Sequence, residues 1–296
     1  MQKPYLTLSV DADYAPYEVF INGGFISTDL TGWTGSQKWP INPFLRSGSN
    51  QVALLLYPFH ADPEKPPTID PQARVTLRVF WRDLSNGMMS EREVLTLSVV
   101  GSQLEAAALS ADAPPGVTVG ALSTERVDFD DKLLLTFDLG ARLPFPEWAF
   151  LRSESTAPAY TLSEEQIEPH YQRLLSAYEN IWQLLNDKAL DQLMPLFAER
   201  SREIDLAMYR PEGVTQEKLH ESLTAALHDE TRTLAPIRPE AGAWKYDAGP
   251  TGKLQRLSDG AQSSAIIRFA EKADPLASIG YSIAFRKQGD SLIVAR

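Results

Sequence analysis

Two periodicities divide the chain. Over residues 73–83, Val75, Leu77, Val79 and Trp81 alternate with Thr76, Arg78, Phe80 and Arg82, and 92–100 alternates again through Val94, Leu95, Leu97 and Val99. A period of two marks half-buried strands, and Ser85-Asn86-Gly87 between them predicts a hairpin. Strands are also predicted for residues 1–10, for Val19-Phe20-Ile21, for 51–57 and, after the corner Pro114-Pro115-Gly116, for 117–129 and 132–139. The Pro-rich stretch 58–67 cannot donate to a central ladder and belongs on the surface.

From Ser163 the period changes. Ile167, Tyr171, Leu174, Leu175, Tyr178, Ile181, Trp182 and Leu185 recur at spacings of three and four, an apolar stripe along about five turns of helix. Ser163-Glu164-Glu165-Gln166 fits a capping box, in which the Ser hydroxyl and the Gln side chain reciprocally satisfy backbone donors of the first turn. A second helical segment, 188–209, carries Leu190, Leu193, Met194, Phe197, Ile204 and Met208, and Pro195 is expected to kink or divide it. A third is expected from Thr215 through Leu219, Leu223 and Leu227 to about Leu234, with Pro236 and Pro239 beyond it. The remainder reads as strands at 253–257, 263–270, 278–287 and 291–294.

This pattern predicts two domains. Residues 1–150 form an all-β sandwich, jelly-roll-like; 151–162, rich in Ser, Glu, Thr, Ala and Pro without periodicity, serve as a linker or surface strap; 163–296 form an α+β domain of three helices packed on an antiparallel sheet. Trp148, just before the strap, is expected to plug the junction.

The stretch 17–57 carries the most specific signal. Val19, Ile21, Asn22 and Gly23 precede Asn42, Pro43, Leu45, Gly48 and Asn50, and in this order they resemble the galactose-binding-like jelly-roll domains attached to many glycoside hydrolases and other secreted or periplasmic bacterial proteins. The resemblance implies a sandwich corner and transfers no ligand residue. Residues 178–197, a long helix running into a short helical segment, and the closing hairpin 280–294 resemble the nuclear-transport-factor-like superfamily, which implies a cone-shaped α+β domain. The additional helix from Thr215 departs from its simplest version and is expected to fill or cover the mouth of the cone.

Composition narrows the functions. The net charge of −11 disfavours nonspecific attraction to nucleic acid or to anionic lipid, and no basic patch offsets it: Arg200, Arg202 and Arg210 are interrupted by Glu199, Glu203 and Asp205. With no cysteine in the chain, disulfides, thiolate catalysis and zinc–thiolate sites are excluded. No apolar run approaches the roughly 20 residues that span a bilayer. Residues 1–10 look like a strand and not a signal peptide, which leaves the compartment open between the cytoplasm and a periplasm reached through an export segment since removed.

Candidate chemistry is sparse. His60, His170, His220 and His228 have no metal-ligand spacing, Asp128, Asp130 and Asp131 lack the glycine and terminal glutamate of a calcium loop, and no phosphate-binding or nucleophile motif occurs. No cofactor is expected and no catalytic residue is assigned. Trp33 and Trp39, read as loop residues, with Phe59 are the candidates for binding a protein or a carbohydrate; His170, Tyr171 and Asp205 are the candidates for lining a pocket in the α+β domain. The favoured expectation is a noncatalytic bacterial binding protein that engages another protein, a basic one in its accessory or effector-neutralising immunity form. Carbohydrate recognition by the sandwich, and a small-ligand receptor or enzyme with a pocket in the α+β domain, are the alternatives.

Overall fold

A computed structural model describes the chain except for residues 1, 33, 60–67, 87–89, 112, 115, 128–131, 238–243, 259–264 and 275–276, and the side chains of residues 86 and 106. The candidates Trp33 and His60 and the Asp128–Asp131 cluster therefore lie outside the described residues. The chain forms two compact units, Met1–Trp148 and Ala149–Arg296.

Unit 1 is β throughout, apart from short 3-10 turns. Its strands are β1 (Pro4–Asp13), β2 (Tyr17–Ile21), β3 (Gly24–Asp29), β4 (Gly35–Pro40), β5 (Gly48–Leu56), β6 (Arg74–Asp83), β7 (Arg92–Val100), β8 (Gln103–Leu109), β9 (Thr118–Val127) and β10 (Lys132–Ala141). They make two five-stranded antiparallel sheets, ordered β4-β1-β6-β7-β8 and β3-β2-β5-β10-β9. The alternation seen in the sequence sets the register. Val75, Leu77 and Val79 on β6 face Val99, Leu97 and Leu95 on β7, and all six are buried. In the second sheet Val19 and Ile21 lie beside Leu54 and Val52, which in turn lie beside Leu135 and Phe137.

The asparagines of the signal stretch 17–57 prove to be backbone supports. Asn42 accepts from the Leu6 amide at 2.8 Å and donates to the Pro4 carbonyl at 2.9 Å. Asn22 donates to Phe44 O at 2.8 Å and to Asn50 Oδ1 at 2.9 Å, while its own Oδ1 accepts from Gln51 N at 3.0 Å. Asn50 accepts from Arg46 N at 2.7 Å and donates to Leu139 O at 3.1 Å. Buried backbone groups at a sheet corner need such partners because water cannot reach them. Asn22 and Gly23 adopt φ of 52° and 80°, the left-handed pair that closes a two-residue hairpin between β2 and β3.

Three strands of unit 1 escaped the apolar pattern: β3, β4 and β8. The sequence places Trp39 in a loop; the structure places it in β4, paired with Leu8 at the edge of a sheet. Ser36-Gln37-Lys38 carries no apolar alternation because an edge strand needs only one partner and leaves much of its surface in water.

Unit 2 begins with the strap. Glu154 bridges to Lys287, and Thr156 N donates to Gly252 O at 3.0 Å. Four helices follow: α1 (Glu164–Asn186), α2 (Leu190–Leu193), α3 (Ala198–Ala207) and α4 (Val214–His228), with a 3-10 turn Met194–Phe197 between α2 and α3. The capping box forms as predicted: Ser163 N donates to Gln166 Oε1 at 2.9 Å and Gln166 N to Ser163 Oγ at 3.4 Å. Leu174, Leu175, Tyr178, Ile181 and Leu185 form the buried stripe of α1. Pro195 divides the second segment at that 3-10 turn, where its missing N–H is harmless.

The third helix ends at His228, six residues before the expected limit. Asp229 accepts from the amide of Thr231 at 2.9 Å, a local turn that competes with helix continuation. Arg232–Leu234 instead become strand β11, followed by β12 (Lys245–Asp247), β13 (Arg256–Ser258), β14 (Ile267–Glu271), β15 (Ser278–Tyr281), β16 (Phe285–Gln288) and β17 (Ser291–Val294). The expected single terminal sheet is three small ones, β11-β14-β15, β12-β13 and β16-β17. The strand expected over 278–287 is broken at 282–284, so its halves join different sheets. None of the described helices is long and apolar enough to cross a membrane.

Candidate ligand-binding site

The helices of unit 2 and its three-stranded sheet line a half-open cavity of about 320 Å3, near the lower end of the range for small-molecule sites. Its walls follow from the apolar periodicity. Ile181 and Leu185, four apart, come from the last turns of α1; Leu193 and Phe197 come from α2 and the turn after it; Leu219 and Leu223, again four apart, come from α4. Ile267 on β14 and Ile283 after β15 close the sheet side, where Gly280, Tyr281 and Ser282 also line the space. The Tyr281 hydroxyl is held by Ser222 Oγ at 2.9 Å.

Arg200, in the first turn of α3, is the one charged residue on this wall among the described residues. Its Nε is buried without a hydrogen-bond partner. Among the described residues its guanidinium forms no ion pair, because the neighbouring carboxylates are committed elsewhere. Glu199 holds Arg286 through two bonds of 2.7 and 2.8 Å. Glu203 holds Arg296 at 2.7 Å and accepts from the Ala149 amide at 2.6 Å. Arg296 is itself buried, with its guanidinium 4.4 Å from the centre of the Phe150 ring. Burial, and secondarily the Arg296 charge, pull the Arg200 pKa below the usual guanidinium range, down to about 10. A cation left without a counter-charge beside apolar walls is a costly arrangement that an anion would relieve.

The three pocket candidates chosen from the sequence lie elsewhere. Asp205 is 2% exposed, and its carboxylate caps α4, accepting from Gly213 N and Thr215 N at 2.9 Å each. It orders the turn that aims Leu219 and Leu223 at the cavity. His170 precedes Ile181 by eleven residues, about 16 Å along the axis of α1, and stacks on Tyr246 with ring centres 5.5 Å apart. Burial, then the charges of Arg173 and Lys287, lower its pKa. Tyr171 is half-buried against the core, with a hydroxyl that lacks a partner. Burial and then Glu168 and Glu179 raise its pKa.

In unit 1 the aromatic candidates do not assemble into a described platform. Trp39 is 43% exposed on β4. Phe59 packs near Gly32 and Pro16, anchored by its amide donating to Thr68 O at 3.0 Å. Trp148 is buried, with its ring 5.5 Å from that of Phe145.

Arg200 is the residue that sequence reasoning missed, having noted it only as one of three arginines interrupted by acidic residues. The available signal was its place on the apolar stripe of the second helical segment: Leu193, Phe197, Arg200 and Ile204 are spaced four, three and four. A charge on the buried face of an amphipathic helix is a stronger pointer than one among other charges. Set against models of known protein families and against curated protein sequences, the chain finds no match. The site therefore rests on its own geometry.

Proposed function

We propose that the protein is a small-ligand receptor whose binding site is the cavity of unit 2. The observation that carries this reading is the coincidence of a space of about 320 Å3, lined largely by apolar residues, with a guanidinium on its wall whose Nε is buried without a partner. Apolar walls with one or two convergent polar groups are the usual make-up of a small-molecule site. Among its described residues the wall brings together no acid–base pair, which favours binding over turnover. Thermal unfolding in the presence of a panel of small apolar acids, alcohols and amides tests the reading. A ligand at a hundred times its Kd raises stability by about 2.7 kcal/mol, and Leu223→Trp, which fills the space, abolishes the response. A panel that leaves the transition unmoved refutes the proposal.

A second reading, engagement of a protein partner by unit 1, is supported by the edge strand β4, which exposes Trp39 and whose free side is open to strand addition. Under this reading a Trp39→Ala variant loses a partner that the parent protein retains. Assignment of unit 1 as a galactose-binding-like jelly roll belongs to the same proposal, supported by five passages of the chain between two antiparallel sheets. Assignment of unit 2 as a nuclear-transport-factor-like cone is supported by its long first helix over short antiparallel strands around a cavity.

A further inference from the structure

We propose that the ligand of this cavity is an apolar monocarboxylate, its carboxylate paired with Arg200 and its hydrocarbon part lying against Leu185, Phe197, Leu223 and Ile283. This rests on the reading of the cavity as a ligand site and adds the chemical class of the ligand. A guanidinium offers a planar fork of donors that matches a carboxylate in two parallel hydrogen bonds. Arg200 has no such partner among the described residues, and Glu199 and Glu203, on the same helix, hold Arg286 and Arg296 instead. The anion must therefore come from outside.

Charge matching selects its valence. Arg200 contributes one positive charge, and the nearby Arg296 is already neutralised by Glu203. A monoanion leaves the site neutral, whereas a phosphate monoester, carrying about −1.5 to −2, would leave uncompensated negative charge against apolar walls.

Calorimetric titration of the full-length protein with octanoate, 1-octanol and octyl phosphate tests the assignment. Octanoate is expected to bind about ten- to a hundred-fold more tightly than 1-octanol, the advantage of a charge-assisted hydrogen bond. Arg200→Met is expected to abolish that advantage while retaining 1-octanol binding, which also shows that the variant is folded; Arg200→Lys, which keeps the charge without the fork, is expected to fall between. Equal affinity for octanoate and 1-octanol, tighter binding of octyl phosphate, or unchanged octanoate binding by Arg200→Met overturns the monocarboxylate while leaving the cavity a binding site. Absence of binding by all three probes overturns the cavity as a ligand site and the monocarboxylate with it.

Discussion

Replacing Arg200 by Met should make the ligand-free protein more stable, the reverse of what most substitutions at a half-buried position do. The Arg200 pKa is pulled below the usual guanidinium range to about 10, chiefly by burial and then through the Arg296 charge. At about 1.4 kcal/mol per unit, that is a penalty on the order of 3 kcal/mol for keeping the group charged. Access of water to the cavity mouth reduces the recoverable part to roughly 1–2 kcal/mol. Met retains an aliphatic stem and brings no charge, so little packing is lost. For a unit of this size, the gain corresponds to a rise of roughly 3–6 °C in melting temperature. Circular dichroism in the helical band follows the relevant transition, because the described α-helices all belong to unit 2. The sign with pH is also defined: the folded state binds this proton more weakly than the unfolded one. The penalty is then fully present below about 10 and fades only as the pH climbs from there toward the usual guanidinium range. The stabilisation should therefore be the same at about pH 6 and about pH 8. A melting temperature that is unchanged or lower in Arg200→Met would show that the guanidinium is compensated in the folded protein, and the argument for an external anion would fall with it.

Three further outcomes follow from the same structure. Asp205→Ala removes the acceptor of the first amides of α4 and should cost about 1–2 kcal/mol in urea unfolding; Asp205→Asn, which keeps one acceptor oxygen, should cost less. Asn50→Ala leaves the Arg46 amide and the Leu139 carbonyl without their partner at a fully buried corner, a loss of about 1–3 kcal/mol read from the urea midpoint. The folded-state pKa of His170 is lowered, first by burial and then by Arg173 and Lys287, so the unfolded chain takes up this proton more readily and stability falls as the pH drops through the ordinary histidine range. His170→Gln should flatten the acid limb of the melting-temperature profile; an unchanged limb would show that His170 gains no protection from burial.

Local pattern accounts for much of this molecule. Alternation at Val75, Leu77 and Val79 and at Leu95, Leu97 and Val99 set the inner face of one sheet, since a strand presents every second side chain to the same side. The α1 stripe and its Ser163–Gln166 cap were legible because a helix completes its hydrogen bonds within a few residues of itself. Pro195 marked the division of the second segment for the same reason. What escaped were features whose reason is non-local. Strand β4 is a strand because β1 offers it a ladder, not because Ser36-Gln37-Lys38 favours one. Residues 278–287 break because their two halves pair with β14 and β17.

The candidate site shows the same limit more sharply. Its apolar walls were all on predicted helix faces or strands, yet the sequence alone pointed to His170, Tyr171 and Asp205. A carboxylate that caps a helix and one that lines a cavity have the same spelling. Sequence by itself determined a β-rich first half, an α+β second half and the apolar faces that each must bury, because these depend on periodicities of two and three to four residues. Only the tertiary structure decided that Glu199 and Glu203 go to Arg286 and Arg296 while Arg200 is left facing the cavity, because the partition of charges depends on which groups distant segments bring within about 4 Å and shield from water.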